Sequence, residues 1–234
     1  MNTVIGSKKR LQSQSSGTVL LMAVPLVGIT PDVVDGRITL SPRYADAVCR
    51  AGGLPVVLPP SPDRASDYLE MCDAVILSGG SDVIMEDWGV ATHPAANPIS
   101  RLRQDFELAM LSAAESKPDV PVLAICLGMQ LMGISHGARF SQHLADDLQT
   151  AGDHLDDSIH LIEGPDLRGE VTSHHHQALL DGGNLEVIAS APDGVVEGIM
   201  DRDRRFYMGV QWHPERTSDE TLGIGLFNRL IEAC

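Results

Sequence analysis

The sequence has few aromatic residues, few basic residues and no long apolar run. Aromatic residues make up 4% of the 234 residues and hydrophobic residues 43%, so we expect a core built from Val, Ile, Leu and Ala. Lysine and arginine number 17 against 32 acidic residues, and the net charge of −15 disfavours nucleic acid or an anionic membrane as a partner. No apolar run reaches the roughly 18 residues of a membrane-spanning helix.

Cysteine is also scarce, and the sequence motifs of nucleotide-binding sites are missing. The four cysteines, at positions 49, 72, 126 and 234, form no CxxC pair. We therefore expect reduced thiols and a cytoplasmic location. The sequence contains neither GxxxxGK(S/T) nor GxGxxG, and no cofactor is expected.

The first residues differ in charge from the rest of the chain. Residues 1–31 contain three basic residues and no acidic one, which leaves 14 basic against 32 acidic residues in the remainder. A basic start followed by "TVLLMAV" is compatible with a signal peptide, but "VPLVGIT" is needed as a core strand. We expect residues 1–20 to form a disordered tail and residues 21–234 to form one domain.

Short apolar runs alternate with helical patterns through the first two thirds of the chain. The predicted strands and helices, in chain order, are a strand at 25–30, a helix at 41–52, a strand at 54–59, a helix through Tyr68 and Leu69, a strand at 73–80, a helix at 100–115 and a strand at 119–126. Continuous apolar strands separated by helices indicate a mostly parallel central sheet covered by helices on both faces. From about residue 158, shorter alternating stretches predict a β-rich C-terminal half, followed by a final helix at 219–232. The predicted fold class is therefore α/β.

Cys126 lies between a predicted strand and a predicted helix, in "AICLGMQLM". A nucleophile on a tight strand-to-helix turn is held clear of the sheet, and small neighbours are needed because such a turn is crowded. Gly128 is small, and the helix that begins near Leu127 favours a thiolate through its dipole. The alternative is a buried, unreactive cysteine at the end of a strand.

A reactive thiol needs a base, and the base needs an acid that orients it. The segment "GVQWHPE" contains both, because His213 ends an apolar strand and the proline after it turns the chain, so that Glu215 can reach the imidazole. The alternative for His213 is a core histidine with ordinary hydrogen bonds. We expect the oxyanion to be bound by the backbone N–H groups of Leu127 and Gly80.

Four segments, in the order "ILSGGSDV", "AICLGMQLM", "SHHHQ" and "GVQWHPE", resemble the class I glutamine amidotransferase superfamily. Over about residues 24–231 the chain is similar to the branch of γ-glutamyl-GABA hydrolases of polyamine breakdown, peptidase family C26. The resemblance implies a flavodoxin-like sheet and a catalytic triad of Cys126, His213 and Glu215.

The resemblance also implies a substrate site and a reaction. Gly80 and Leu127 would form the oxyanion hole, and Gln130, Ser173 and His175 match positions that hold the γ-glutamyl group. The expected reaction is hydrolysis of a γ-glutamyl amide to glutamate and an amine through a thioester. The expected partner is a small-molecule substrate, and a homo-oligomer is compatible with the sequence.

Two positions depart from the hydrolase branch, which usually has glycine two residues before the nucleophile and arginine directly after it. This chain has Ala124 and Leu127 there. Because "CLGMQ" is common among glutaminase domains, a glutaminase subunit that delivers ammonia to a separate synthetase is the first alternative. A non-catalytic binding protein on the same scaffold is the second.

The three consecutive histidines 174–176 are candidate metal ligands. Adjacent residues rarely all reach one ion, and no Cys, Asp or Glu lies beside them at the spacing typical of a metal site. We therefore expect no metal.

Overall fold

The computed structural model describes residues 24–234, so the predicted tail of residues 1–20 lies outside the described residues. The strands in chain order are β1 (Leu26–Ile29), β2 (Asp32–Val34), β3 (Arg37–Thr39), β4 (Leu54–Val57), β5 (Ala74–Leu77), β6 (Val122–Ile125), β7 (Phe140–Ser141), β8 (Ser158–Ile162), β9 (Gly169–Ser173), β10 (Ala178–Leu179), β11 (Glu186–Ser190), β12 (Val196–Met200) and β13 (Tyr207–Val210). The α-helices are α1 (Pro42–Arg50), α2 (Ala65–Met71), α3 (Arg101–Glu115), α4 (Leu127–Ser135), α5 (Leu144–Asp147) and α6 (Ile224–Glu232).

A seven-stranded sheet lies at the centre of the fold, in the order β11-β12-β13-β6-β5-β1-β4. The five strands from β13 to β4 are parallel to one another, whereas β12 and β11 extend the sheet by antiparallel pairing at one edge. Three two-stranded sheets, β2–β3, β7–β10 and β8–β9, surround it. The predicted α/β class with a mostly parallel, flavodoxin-like sheet and a β-rich C-terminal half is confirmed.

Both faces of the central sheet are covered by apolar packing. Helices α2, α3 and α4 contribute Leu69, Phe106 and Met129 to the core on one face. On the other face, Val48 of α1 and Leu226 of α6 pack against the sheet. Because both faces are buried, the parallel strands are continuous apolar runs. The sheet and the helices on its two faces form a single domain.

The helix starts follow capping residues that can be read in the sequence. Ser41 precedes α1 and its hydroxyl accepts a hydrogen bond from the Arg43 N–H at 3.4 Å, with Pro42 as the first helical residue. The Ser100 hydroxyl accepts from the Arg103 N–H at 3.2 Å at the start of α3. Both helices therefore begin where the sequence predicts.

The final helix is shorter than the sequence predicts, because it begins at Ile224 rather than at Asp219. The Asp219 carboxylate accepts hydrogen bonds from the N–H groups of Thr221 and Leu222, at 2.8 and 2.9 Å. Aspartate competes in this way for nearby backbone donors, which favours a turn over a helix.

Three neighbouring parallel strands bring the candidate residues to one edge of the sheet. Strand β6 lies between β5 and β13, and Ala124 is in register with Leu77 on one side and Gly209 on the other. The carboxyl ends of β5, β6 and β13 are followed by Gly79-Gly80, Cys126 and His213, respectively. Ligands of open α/β sheets bind at this edge.

A buried ion pair supports the end of β5. Arg103 and Glu107 of α3 are both fully buried, and Arg103 Nη2 lies 2.5 Å from Glu107 Oε1. The same guanidinium donates hydrogen bonds to the carbonyl oxygen and the hydroxyl of Ser78, at 3.0 and 3.1 Å. Burial raises the pKa of Glu107, so its ionised form depends on the arginine.

Within residues 24–234, none of the helices combines the length and the apolar character that crossing a membrane requires.

Replacing Arg103 should destabilise the fold strongly. We expect Arg103→Met to lower the free energy of unfolding by about 3–5 kcal/mol, because Glu107 would remain buried without its partner. The double variant Arg103→Met/Glu107→Leu should be more stable than the single variant. Urea denaturation followed by circular dichroism measures the free energy of unfolding of the wild type, the single variant and the double variant.

The matched control is Arg101→Met, because the Arg101 side chain is 48% exposed in its ion pairs with Asp87 and Asp105. We expect this variant to lose less than about 1 kcal/mol. Equal losses for the two single variants would contradict the structural role of the buried pair.

Candidate active site

Cys126 occupies a strained turn between β6 and α4. Its backbone has φ +51° and ψ −107°, values that residues other than glycine rarely adopt. A β-carbon at Gly128 would lie 2.4 Å from the carbonyl oxygen of Leu77, so this position requires glycine. The predicted tight turn with a small residue at +2 is therefore present.

The two departures from the hydrolase pattern have simple structural consequences. Ala124 is fully buried in the middle of the sheet, and the turn at Cys126 forms with alanine at this position. Leu127 is also fully buried, and it packs so closely against Gly80 that a β-carbon there would lie 2.6 Å from Leu127 Cδ2. The Leu127 side chain therefore belongs to the core, while its N–H, in the first turn of α4, has no acceptor within the helix.

His213 is held between Cys126 and Glu215. His213 Nδ1 lies 2.8 Å from Glu215 Oε1, and the Glu215 side chain is fully buried. Burial alone would lower the pKa of His213, but hydrogen bonds to Cys126 and Glu215, together with their negative charges, outweigh it and raise this pKa to about 9. A positively charged imidazole therefore lies beside the Cys126 sulfur.

Gly79 leaves the space in which the sulfur and the imidazole meet. A β-carbon at this position would lie 3.0 Å from His213 Cε1 and 3.6 Å from Cys126 Cβ. The Gly79 N–H donates to the Tyr44 hydroxyl at 3.0 Å, which fixes this loop on α1. A side chain at Gly79 would therefore push the imidazole away from the thiol.

Cys126 opens onto a cavity of about 190 Å³. Eight of the eleven residues that line it have polar side chains, and the full lining is Gly80, Ser81, Asp82, Asn97, Cys126, Gln130, Leu155, His174, His175, His176 and Gln177. A nucleophile with a base, next to backbone N–H groups and a polar cavity, is the arrangement needed for acyl transfer.

Gln130 lies in this cavity, one helical turn after Cys126. Its Nε2 donates to the carbonyl oxygen of Gln177 at 2.9 Å and to Gln211 Oε1 at 3.2 Å. Gln211 Nε2 in turn lies 3.5 Å from Cys126 Sγ. Gln130 therefore links the wall of the cavity to the surroundings of the sulfur.

The predicted substrate residues Ser173 and His175 occupy different positions. Ser173 is fully buried, and its hydroxyl donates to the carbonyl oxygen of His154 at 3.3 Å, so the structure does not bring it to the cavity. His175 lines the cavity, but its Nε2 points towards Glu197, at 3.5 Å from Oε1.

The three consecutive histidines point in different directions. His174 also faces a second cavity, of about 510 Å³, on the His213 side of Gly79. His175 turns towards Glu197, and His176 Nε2 lies 2.9 Å from Asp82 Oδ1. The side chains of residues 174–176 therefore do not converge on one metal ion.

Sequence reasoning missed Asp82, Tyr44 and Gln211. Asp82 follows the glycine pair in "SGGSD", and Gln211 precedes His213 in "GVQWHPE", so both lie within motifs that the sequence singled out. Tyr44 looks like an ordinary core residue of an amphipathic helix. Its contact with Gly79 depends on tertiary packing and has no signal in the sequence.

Comparisons with known proteins identify the family. The profile of the peptidase C26 family matches residues 25–215. Protein NtpR of Enterococcus hirae is 34% identical, over 89% of this chain and 99% of that protein. The γ-glutamyl-γ-aminobutyrate hydrolase PuuD of Escherichia coli is 30% identical, over 84% of this chain and 86% of that protein.

The fold recurs in a solved structure of low sequence identity. A glutamine amidotransferase from Thermotoga maritima superposes with a TM-score of 0.58 at 15% identity, over 83% of this chain and 77% of that one. The family profile, the two relatives and the shared fold agree with one another. The chain belongs to the peptidase C26 family.

Proposed function

We propose that this protein hydrolyses a γ-glutamyl amide, γ-glutamyl-GABA or a related γ-glutamyl amine, with Cys126 as nucleophile. The observation that carries the proposal is the strained turn, which holds the Cys126 sulfur between His213 and a polar cavity. Membership of the peptidase C26 family supports a hydrolase of the glutamine amidotransferase type. A relative that is itself a γ-glutamyl-γ-aminobutyrate hydrolase supports the finer substrate assignment.

In the first half of the proposed reaction, the thiolate of Cys126 attacks the γ-carbonyl carbon of the substrate. The N–H groups of Leu127 and Gly80 stabilise the oxyanion, and the loss of one such donor typically costs about 3–4 kcal/mol. His213, oriented by Glu215, donates its proton to the leaving nitrogen. The C–N bond breaks, and the amine departs from a γ-glutamyl thioester.

In the second half, water replaces the amine. His213 is now neutral and removes a proton from the attacking water molecule. The C–S bond breaks, and glutamate leaves as the Cys126 thiolate and the His213 imidazolium are restored. No redox step and no cofactor enter this sequence.

The polar cavity suits the charged head of a γ-glutamyl group. Asp82 offers a carboxylate for the α-ammonium group, and His176, whose pKa is raised by its hydrogen bond to Asp82, offers a positive charge for the α-carboxylate. The cavity volume of about 190 Å³ matches one amino-acid head rather than a peptide. We propose that the leaving amine projects outwards, past Leu155.

The proposed setting is the cytoplasm, with a small molecule as the only required partner. All four cysteines are free thiols, which suits a reducing compartment. A glutaminase subunit would need a synthetase partner, and a binding protein would need no reactive thiol. Each alternative therefore predicts a result for the isolated chain that differs from the result expected of a hydrolase.

The isolated chain should release glutamate from γ-glutamyl-GABA and γ-glutamylputrescine without a partner. We expect Cys126→Ala to lower this turnover by at least about 1,000-fold, because the variant lacks the sulfur on which the thioester is proposed to form. Mass spectrometry of the released glutamate measures the rates, with glutamine as a third substrate.

The matched control is Cys49→Ala, which removes an exposed thiol and should keep full activity. Turnover of glutamine alone, weak and stimulated by a synthetase, would favour the glutaminase alternative. No turnover of any of the three substrates would favour the binding protein.

The pH profile should follow the protonation of His213. Because its pKa of about 9 lies above the ordinary 6.5, folding favours the imidazolium, and this stabilisation is present below pH 6.5 and lost as the pH rises through 9. We expect kcat/KM for γ-glutamyl-GABA to fall as the pH rises through about 9, since the leaving amine needs the proton of His213.

Glu215→Gln should move this alkaline limb to lower pH. The substitution removes a negative charge that raises the pKa of His213. Profiles of kcat/KM against pH for the wild type and Glu215→Gln test this shift of the alkaline limb. NMR titration of the imidazole assigns the shifted pKa to His213. An unchanged alkaline limb in the variant would contradict the orienting role of Glu215.

A further inference from the structure

Four side chains lie together beside the candidate active site, from segments far apart in the chain; three are buried, and that of His160 is 10% exposed. His154 ends a 3-10 turn, His160 lies on β8, His175 follows β9, and Glu197 is the second residue of β12. The side chains of His154 and His175 are 1% exposed and that of Glu197 is fully buried. A carboxylate buried to this extent needs strong partners.

The distances within this cluster are too long for ordinary hydrogen bonds. Glu197 Oε1 lies 3.4 Å from His154 Nδ1, 3.5 Å from His160 Nε2 and 3.5 Å from His175 Nε2. Hydrogen bonds between nitrogen and oxygen are about 2.7–3.2 Å long. None of these four atoms has a hydrogen-bond partner among the described residues.

The same distances match the edges of a tetrahedral metal site. Ligand atoms at about 2.0–2.1 Å from a zinc ion, separated by the tetrahedral angle, lie about 3.3–3.4 Å from one another. An octahedral ion with bonds of about 2.1 Å would instead bring neighbouring ligands to about 3.0 Å. One ligand atom from each of His154, His175 and Glu197 lies within 4.8 Å of the other two, close enough to share an ion.

The outer nitrogens of two of these histidines have the partners that metal-bound imidazoles usually have. His154 Nε2 lies 3.0 Å from the carboxylate oxygen Oδ2 of Asp193. His175 Nδ1 lies 3.0 Å from the carbonyl oxygen of Gln177. Such contacts fix the tautomer that points the free nitrogen at the ion.

We propose that His154, His175 and Glu197 bind a zinc ion. His160, whose Nε2 lies 3.5 Å from Glu197 Oε1 but which stands outside this group of three, would move inwards to become the fourth ligand. Four protein ligands close the coordination sphere, so the ion is structural and takes no part in the reaction at Cys126. The sequence-based expectation of no metal considered only 174–176 and residues beside them. The site instead takes one histidine from that run and three ligands from elsewhere.

The zinc ion would connect the cavity to the sheet. His175 lines the cavity, as does Leu155, which directly follows His154. On the other side, the carbonyl oxygen of Glu197 accepts a hydrogen bond from the N–H of Gln211 at 2.8 Å. One ion therefore fixes two walls of the cavity relative to β12, independently of which substrate the cavity accepts.

Calorimetric titration of the chelator-treated, full-length chain with Zn²⁺ alone tests the proposal. We expect about one zinc ion per chain, bound by nitrogen and oxygen ligands only. Glu197→Gln should weaken binding at least about 100-fold, and Asp193→Asn, which removes the carboxylate charge beside His154 and leaves every proposed ligand in the chain, should weaken it about 10–100-fold. The matched control His136→Gln lies outside the cluster and should bind as the wild type does.

Two measurements on the wild-type chain keep the test independent of how the variants fold. X-ray absorption of the zinc-loaded chain should give about four nitrogen or oxygen ligands at about 2.0–2.1 Å and no sulfur. Co²⁺ should give the intense visible absorption of a tetrahedral site. Absence of zinc binding, sulfur in the coordination sphere, a weak octahedral Co²⁺ spectrum, or unchanged affinity in Glu197→Gln would overturn the proposal.

Discussion

The strained backbone at Cys126 is the constraint on which the rest of the site depends. A residue other than glycine in such a conformation costs of the order of 1–3 kcal/mol, and it persists only where the surrounding structure determines it. Here β6 is fixed between β5 and β13, and the Gly128 backbone lies against the Leu77 carbonyl. The sheet therefore supplies the energy that holds this turn, and Cys126 with it, at the carboxyl edge of the strands.

The partners of Cys126 follow from the same topology. Strands β5 and β13 flank β6, so the glycine pair and His213 reach the sulfur from opposite sides without a long loop. Charged groups inside the protein strengthen this arrangement. The Arg103–Glu107 pair supports Ser78 beneath the glycines, and buried Glu215 orients the imidazole. On the far side of β13, the Glu197 cluster supports the wall of the cavity. The surroundings of one sulfur thus contain several buried charges, each of which lies next to a group of opposite charge or to a histidine.

The sequence predicted the central strands, helix α3 and the edge of the sheet at which the candidate residues meet, because apolar runs and capping residues are local signals. It did not predict that Arg103 and Glu107 of the same helix would be buried, because charged side chains on a helix usually face solvent and this pair meets Ser78 only in the folded chain. Ser173 was expected at the cavity but is not among its lining residues, and its hydroxyl instead donates to the carbonyl oxygen of His154. Glu197 was the one charge in the apolar run "VVEGIM", a signal that gains meaning only when His154 and His175 are seen around it.

The central claim is that Cys126 is the reactive thiol because of where the turn holds it, although its residue is only 4% exposed. Labelling the native chain with a γ-glutamyl-like electrophile, followed by peptide mass spectrometry of all four cysteines, tests this claim most directly. We expect label on Cys126 alone, excess γ-glutamyl-GABA to protect it, and His213→Ala to slow its labelling. Label on the exposed Cys49 with none on Cys126, or labelling of Cys126 that is indifferent to His213, would contradict the account.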